Sequence, residues 1–221
     1  MYFPAPKNKN LVVCFFLLPL LLLLTLTLRT QAYAEDEKTL EQILSPKDSK
    51  SGKPNSEKSG VELAYDFFEK CSTSPDYFVS EKIQKEYCRC KAAKMANSLS
   101  KKDFLALEED SEDGNNARNG MRMNADSLCM RPAIKSYAKG VCMKDPHFKT
   151  IVLGKSKMCD CVADYMSSYA KKHLPSIIIR AATEYPLSLD PLSFFLSSED
   201  FNMMYSVHKE YCYNKVVYSP K

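Results

Sequence analysis

YCRC at residues 87–90 and MCDC at residues 158–161 are two cysteine pairs with the same one-residue spacing. Each is preceded by a cysteine at one fixed distance: Cys71 to Cys88 and Cys142 to Cys159 are both C-x16-C. Aligned on these cysteines without a gap, Pro75 matches Pro146, Ala92 matches Ala163 and Met95 matches Met166. Each copy closes with one more cysteine, Cys129 or Cys212, the second delayed by a 12-residue insertion placed in TEYPLSLDPLSFF. Matched spacing with matched neighbours is the mark of an internal repeat.

The periodicity around the cysteines is helical. In VELAYDFFEKC, Val61, Leu63, Ala64, Phe67, Phe68 and Cys71 recur three and four apart. Cys88, Ala92, Met95 and Leu99 stack in the next segment, as do Cys159, Ala163, Met166 and Ala170 in its counterpart. Pro75 stops the first helix, Ser80 caps the second, and Ser100 with Asp103 forms a capping box for a third. The acidic EEDSEDG run and NNARNG are read as a break, followed by a fourth helix to about Cys129. Asp190-Pro191 starts a helix of the second copy, and the last helix aligns Phe201, Met204, Tyr205, His208, Tyr211 and Cys212. The expected fold is all-α: a duplicated, disulfide-stapled repeat of two units with about four helices each, over residues 61–131 and 132–221.

Residues 1–34 read as a signal peptide. Lys7 and Lys9 precede an uncharged apolar run from Leu11 to Leu28, and Ala32 and Ala34 form a small-x-small cleavage site. The rival is an uncleaved membrane anchor, since the run approaches the roughly 20 residues that span a bilayer; Pro19 and the alanine pair favour cleavage. Residues 35–60 are rich in Lys, Ser, Gly and Pro and read as a flexible linker. The leader holds three bases (Lys7, Lys9 and Arg29) and no acid, so its removal takes 31 Lys+Arg against 27 Asp+Glu to 28 against 27. A nearly neutral mature chain gives no electrostatic reason to expect nucleic acid or an anionic membrane as partner.

Removing the leader also takes Cys14, leaving Cys71, Cys88, Cys90, Cys129, Cys142, Cys159, Cys161 and Cys212. An even set in an exported chain is expected to be paired. Successive residues of a helix turn by about 100°, so the two sulfurs of one CxC point to opposite sides and clamp different neighbours. The expected bridges are Cys71–Cys88, Cys90–Cys129, Cys142–Cys159 and Cys161–Cys212, with an exchange of partners between Cys88 and Cys90 left open.

Other chemistries fit the residues less well. A tetrathiolate zinc site from Cys88, Cys90, Cys159 and Cys161 lacks C-x2-C knuckles and leaves four cysteines over. Met204, His208 and Cys212 could offer a soft metal such as copper three ligands, but they share an apolar face. Neither CRC nor CDC is the C-x-x-C of a redox centre, and the residue between the cysteines is Arg89 in one copy and Asp160 in the other. The histidines His147, His173 and His208 stand in no hydrolase motif. The acids Glu108, Glu109, Asp110, Glu112 and Asp113 lack the ligand order of a calcium loop. No catalytic set and no cofactor is expected. The sequence favours an exported, non-catalytic helical protein that binds another envelope or extracellular protein, or serves as an accessory part of the cell envelope. A bacterial periplasm is the favoured location, with extracellular or membrane-anchored placement as alternatives. The alternative function is soft-metal (copper or zinc) binding or thiol redox work through the CxC pairs.

Overall fold

Ser59 starts the first helix by a reciprocal exchange: its hydroxyl accepts from the Glu62 amide, and the Glu62 carboxylate accepts from the Ser59 amide at 2.7 Å. In the computed structural model, which describes residues 54–74, 79–148, 154–184 and 190–218, this helix, α1, is Gly60–Thr73. Gln84 donates to the carbonyls of Cys71 and Ser74 at 2.8 and 2.7 Å, satisfying acceptors at the end of α1. The chain continues through α2 (Glu81–Ser98) and α3 (Lys101–Ala106). Then come α4 (Glu112–Met121), a π-helical stretch (Arg122–Asp126) and α5 (Ser127–Lys144). The last three helices are α6 (Lys155–Glu184), α7 (Pro191–Ser197) and α8 (Glu199–Tyr218). No strand occurs among the described residues, and no helix among them is long and apolar enough to cross a membrane.

Four disulfides join these helices: Cys71–Cys88, Cys90–Cys129, Cys142–Cys159 and Cys161–Cys212, with Cα separations of 5.7, 5.7, 5.5 and 5.9 Å. Cys88 and Cys90 reach α1 and α5 respectively, on opposite sides of α2. Cys159 and Cys161 do the same from α6 towards α5 and α8. The bridges therefore run as one path, α1–α2–α5–α6–α8, with each bridge crossing a different interface. Such bonds form and persist in an oxidising, exported environment.

The main core gathers on this path. Met130, Ile134, Met158, Val162, Met166 and Leu192 are buried within it, and α6 contributes from Met158 to Ala181. A second, smaller cluster of Leu63, Ala64, Met95, Phe104 and Ala125 joins α1, α2, α3 and the π-helical stretch.

Several details differ from the sequence expectation. NNARNG is helical and lies inside α4. The break falls earlier, at 107–111, where Ser111 caps α4 by accepting from the Gly114 amide at 3.1 Å. Gly114 is needed for close approach: a β-carbon there would lie 2.1 Å from the Glu109 carbonyl oxygen. The fourth helix does not stop at Cys129 but runs on through Pro132 to Lys144, so the 131/132 division falls inside α5, which carries both Cys129 and Cys142. α6 has 30 residues where α2 has 18. The end of the expected linker is ordered, since Asn55–Glu57 form a 3-10 turn and Lys58 pairs with Asp66 at 2.7 Å. The signal peptide, the rest of the linker, and Pro75 lie outside the described residues.

Candidate functional site

Tyr87 and Lys91 sit one turn apart on α2, flanking the CRC pair on one side. Asp126 ends the π-helical stretch three residues before Cys129, so the Cys90–Cys129 bridge draws it against Lys91. Asp190 approaches from the start of α7, where its Oδ1 accepts from the Leu192 amide at 2.8 Å and Pro191 takes the first helical position. Lys91 Nζ bonds Asp126 at 2.7 Å and Asp190 at 2.8 Å. The Tyr87 hydroxyl, a single donor, lies 2.8 Å from Asp126 Oδ1 and 3.0 Å from each Asp190 oxygen. Lys91 is also 5.5 Å from the Phe67 ring centre and 5.7 Å from that of Tyr87.

Burial sets the electrostatics of this cluster. Asp126 is 0% exposed, and its Oδ2 has no hydrogen-bond partner. Loss of hydration pushes its pKa up to about 6; Lys91 opposes that rise and the neighbouring Asp190 charge adds to it. Burial lowers the Arg122 guanidinium from its ordinary value, with Asp126 acting in the opposite sense. Arg118, one turn before Arg122, is 5% exposed. It donates to the carbonyls of Leu107 and Glu109 at 2.9 and 2.7 Å and to Asn115 Oδ1 at 2.7 Å, while its Nε is buried without a partner.

Lys91, Asp190, Arg118 and Arg122 line one side of an open groove of about 650 Å³. Leu63 and Phe67 of α1, Phe104 and Leu105 of α3, and Leu107 and Met121 give it an apolar strip, with Asn55, Asp66, Ser74 and Ser193 also in the lining. Lys70 and Glu108, both exposed, form an ion pair among the lining residues. The volume falls in the roughly 300–1,000 Å³ range of small-molecule sites, which combine apolar walls with a few placed polar groups. The site holds cations, carboxylates and one phenol, which suits it to recognising a charged or amphipathic ligand.

The residues singled out from sequence are placed as follows. Cys88, Cys90, Cys159 and Cys161 enter four separate bridges and form no shared set. Cys212 is bonded to Cys161 and presents no thiolate, Met204 is half-buried against the core, and the His208 ring stacks on Tyr165 at 5.0 Å. Burial lowers the pKa of His208. Among the described residues no group of three or more His, Cys, Asp or Glu is arranged to hold a metal ion. The acidic run is dispersed: Glu108 pairs with Lys70, Asp113 with Lys102 at 2.8 Å, and Glu109 accepts from the Ser111 hydroxyl at 3.1 Å. Asp160, within CDC, faces Lys139 of α5 at 2.5 Å.

Tyr87, Lys91, Asp126 and the two arginines did not stand out in the sequence. A usable sign was present: Tyr87 and Lys91 bracket a cysteine pair, and Asp126 precedes the cysteine that pair was expected to reach. Polar residues next to the two ends of one bridge must meet. No protein-family model, curated protein or solved structure matches this chain.

Proposed function

We propose that this is an exported, non-catalytic, disulfide-stapled helical protein that works by binding another protein of the cell envelope or extracellular space, with the groove beside α1 and α4 as its contact site. The observation that carries this is the pairing of all eight cysteines from Cys71 to Cys212 between helices, beside an open groove whose floor is rigidly held charge. The leader at 1–34 is cleaved after Ala34, and the bacterial periplasm is the location proposed. Soft-metal or thiol redox work would need free thiolates, and these bridges tie up the sulfurs it would use.

The domain is also proposed to be a duplication. The first bridge of each copy closes a separation of 17 residues, and the copies share α5 as last helix of one and first of the other. Aligned on the cysteines, Tyr87, Lys91 and Asp126 correspond to Met158, Val162 and Lys209. Met158 and Val162 are fully buried core residues, so the Tyr87–Lys91–Asp126 set has no counterpart in the second copy, which contributes Asp190 to the cluster. A duplicated scaffold with one polar copy fits a structural half and a binding half.

A photo-crosslinking residue placed at Leu105, on the groove, tests the reading when the full chain is expressed in an envelope-bearing host. A discrete protein adduct at Leu105 that is missing from the same probe at Ile179, exposed on α6, is expected. Equal labelling from both positions, or none from either, would overturn it.

A further inference from the structure

We propose that the groove binds an amphipathic anion: an apolar body carrying one carboxylate, seated with its head group at Arg118. The proposal rests on the chain being a binding protein and adds the chemistry of what the groove takes.

Arg118 is a nearly buried guanidinium whose partners among the described residues are neutral oxygens, two carbonyls and one side-chain amide. A buried cation without a counter-charge is costly, and a buried N–H without an acceptor adds to that cost. Its Nε is such a donor, on a residue that lines the groove. A carboxylate supplies both missing parts, the negative charge and a second oxygen for side-on pairing with a guanidinium.

The charge inventory points the same way. Around the groove, Lys58 is matched by Asp66 and Lys70 by Glu108. Lys91 is shared by Asp126 and Asp190. Among the described residues, setting these carboxylates against the cations, with Arg118 and Arg122 included, leaves one positive charge over. A monoanion neutralises the site, whereas a cation would add to the surplus. Phe67, Phe104, Leu105 and Leu107 form an apolar strip of the lining whose side chains offer no hydrogen bond, and that strip takes the apolar body of the ligand.

Isothermal titration of the purified, oxidised chain with sodium dodecanoate tests this, with dodecyltrimethylammonium as the same-tail cation, both below their micellar range. Dodecanoate is expected to bind once per chain and at least tenfold more tightly than the cation. Arg118→Gln should weaken dodecanoate at least tenfold. Because Arg118 also ties the α3–α4 connection, Leu105→Glu gives an independent check. Leu105 is 39% exposed on the groove, so the variant keeps the fold by circular dichroism and repels the anion at least fivefold. Equal affinity for the two detergents, binding of many molecules per chain, or no effect of Leu105→Glu would overturn the proposal. So would absence of binding. A protein adduct at Leu105 with no dodecanoate binding would sink the ligand class alone and leave the protein-binding role standing. Dodecanoate binding without an adduct would do the reverse.

Discussion

Replacing Lys91 by methionine keeps the stem that packs on Phe67 and removes the cation that holds Asp126 and Asp190 together. Asp126 is 0% exposed, so the variant leaves a carboxylate in the core with only the Tyr87 hydroxyl and the field of Arg122 to support it. Breaking one partner out of a buried ion pair costs about 3–5 kcal/mol, and that is the expected loss at pH 7. The pH dependence separates this cause from lost packing. In the wild type, Asp126 titrates near 6 in the fold against 3.8 in the open chain. A raised carboxyl pKa stabilises the fold fully below the unfolded value, and that contribution fades as pH rises through the folded one. Going from pH 7 to pH 5 therefore returns on the order of 1 kcal/mol to the wild type. Without Lys91 the folded pKa rises further, so the variant gains more from the same acidification than the wild type does. The deficit of Lys91→Met should thus shrink on acidification, other titrating groups cancelling between the two proteins. Urea unfolding of the oxidised proteins followed by circular dichroism at both pH values reads this out. A deficit below about 1 kcal/mol at pH 7, or one that grows towards pH 5, would refute the role given to Lys91.

Alkylation of the unreduced mature chain should add no mass, and non-reducing peptide mapping should return Cys71–Cys88, Cys90–Cys129, Cys142–Cys159 and Cys161–Cys212 as linked fragments. Removing the Cys90–Cys129 bridge as a double serine variant should lower stability by about 4 kcal/mol in the chain-entropy model, from its 39-residue separation, as measured by urea unfolding. Two of the helical glycines, Gly140 and Gly114, should respond with opposite sign in thermal melts. Gly140→Ala meets nothing within 4 Å and should stabilise by about 0.5–1 kcal/mol. Gly114→Ala would drive its β-carbon to within 2.1 Å of a backbone oxygen and should destabilise by about 1–3 kcal/mol or more.

The helices and the staples were legible in the sequence because both follow from local rules. Apolar residues three and four apart mark a helix, and a CxC on a helix has to serve two neighbours. The caps at Ser100 and Asp190 were readable for the same reason: each uses residues within three positions of it. NNARNG was misjudged because its helicity is a tertiary effect. Arg118 folds back to the carbonyls at the end of the preceding segment, and Gly114 admits that backbone at close range; neither contact leaves a mark in the local pattern. Asp126 was invisible on similar grounds. Its burial depends on α2 and α7 arriving from 35 residues before and 64 residues after it, a meeting signalled only by the cysteine spacing beside Lys91 and Asp126 and by Asp190 as a cap.

The ion cluster is also what completes the fold mechanically. The bridge path α1–α2–α5–α6–α8 omits α3, α4 and α7, which carry no cysteine. The capping box at Ser100 anchors α3 to the end of α2, and α4 is continuous with α5 through the π-helical stretch. α7 has neither support, having the undescribed residues 185–189 before it and α8 after it. Its first turn is fixed by Asp190, and Asp190 is fixed by Lys91 and Tyr87 of α2. The charge cluster thus adds a polar tie at the start of α7, whose Leu192, Phe194, Phe195 and Leu196 are buried in the main core, at the point where that helix meets the groove. A tie of this kind depends on protonation, as a disulfide does not, because every member of it is an ionisable group. The ionisable joint lies where α7 meets the groove and the covalent joints run through the core, so a change of pH acts on the first and leaves the second intact.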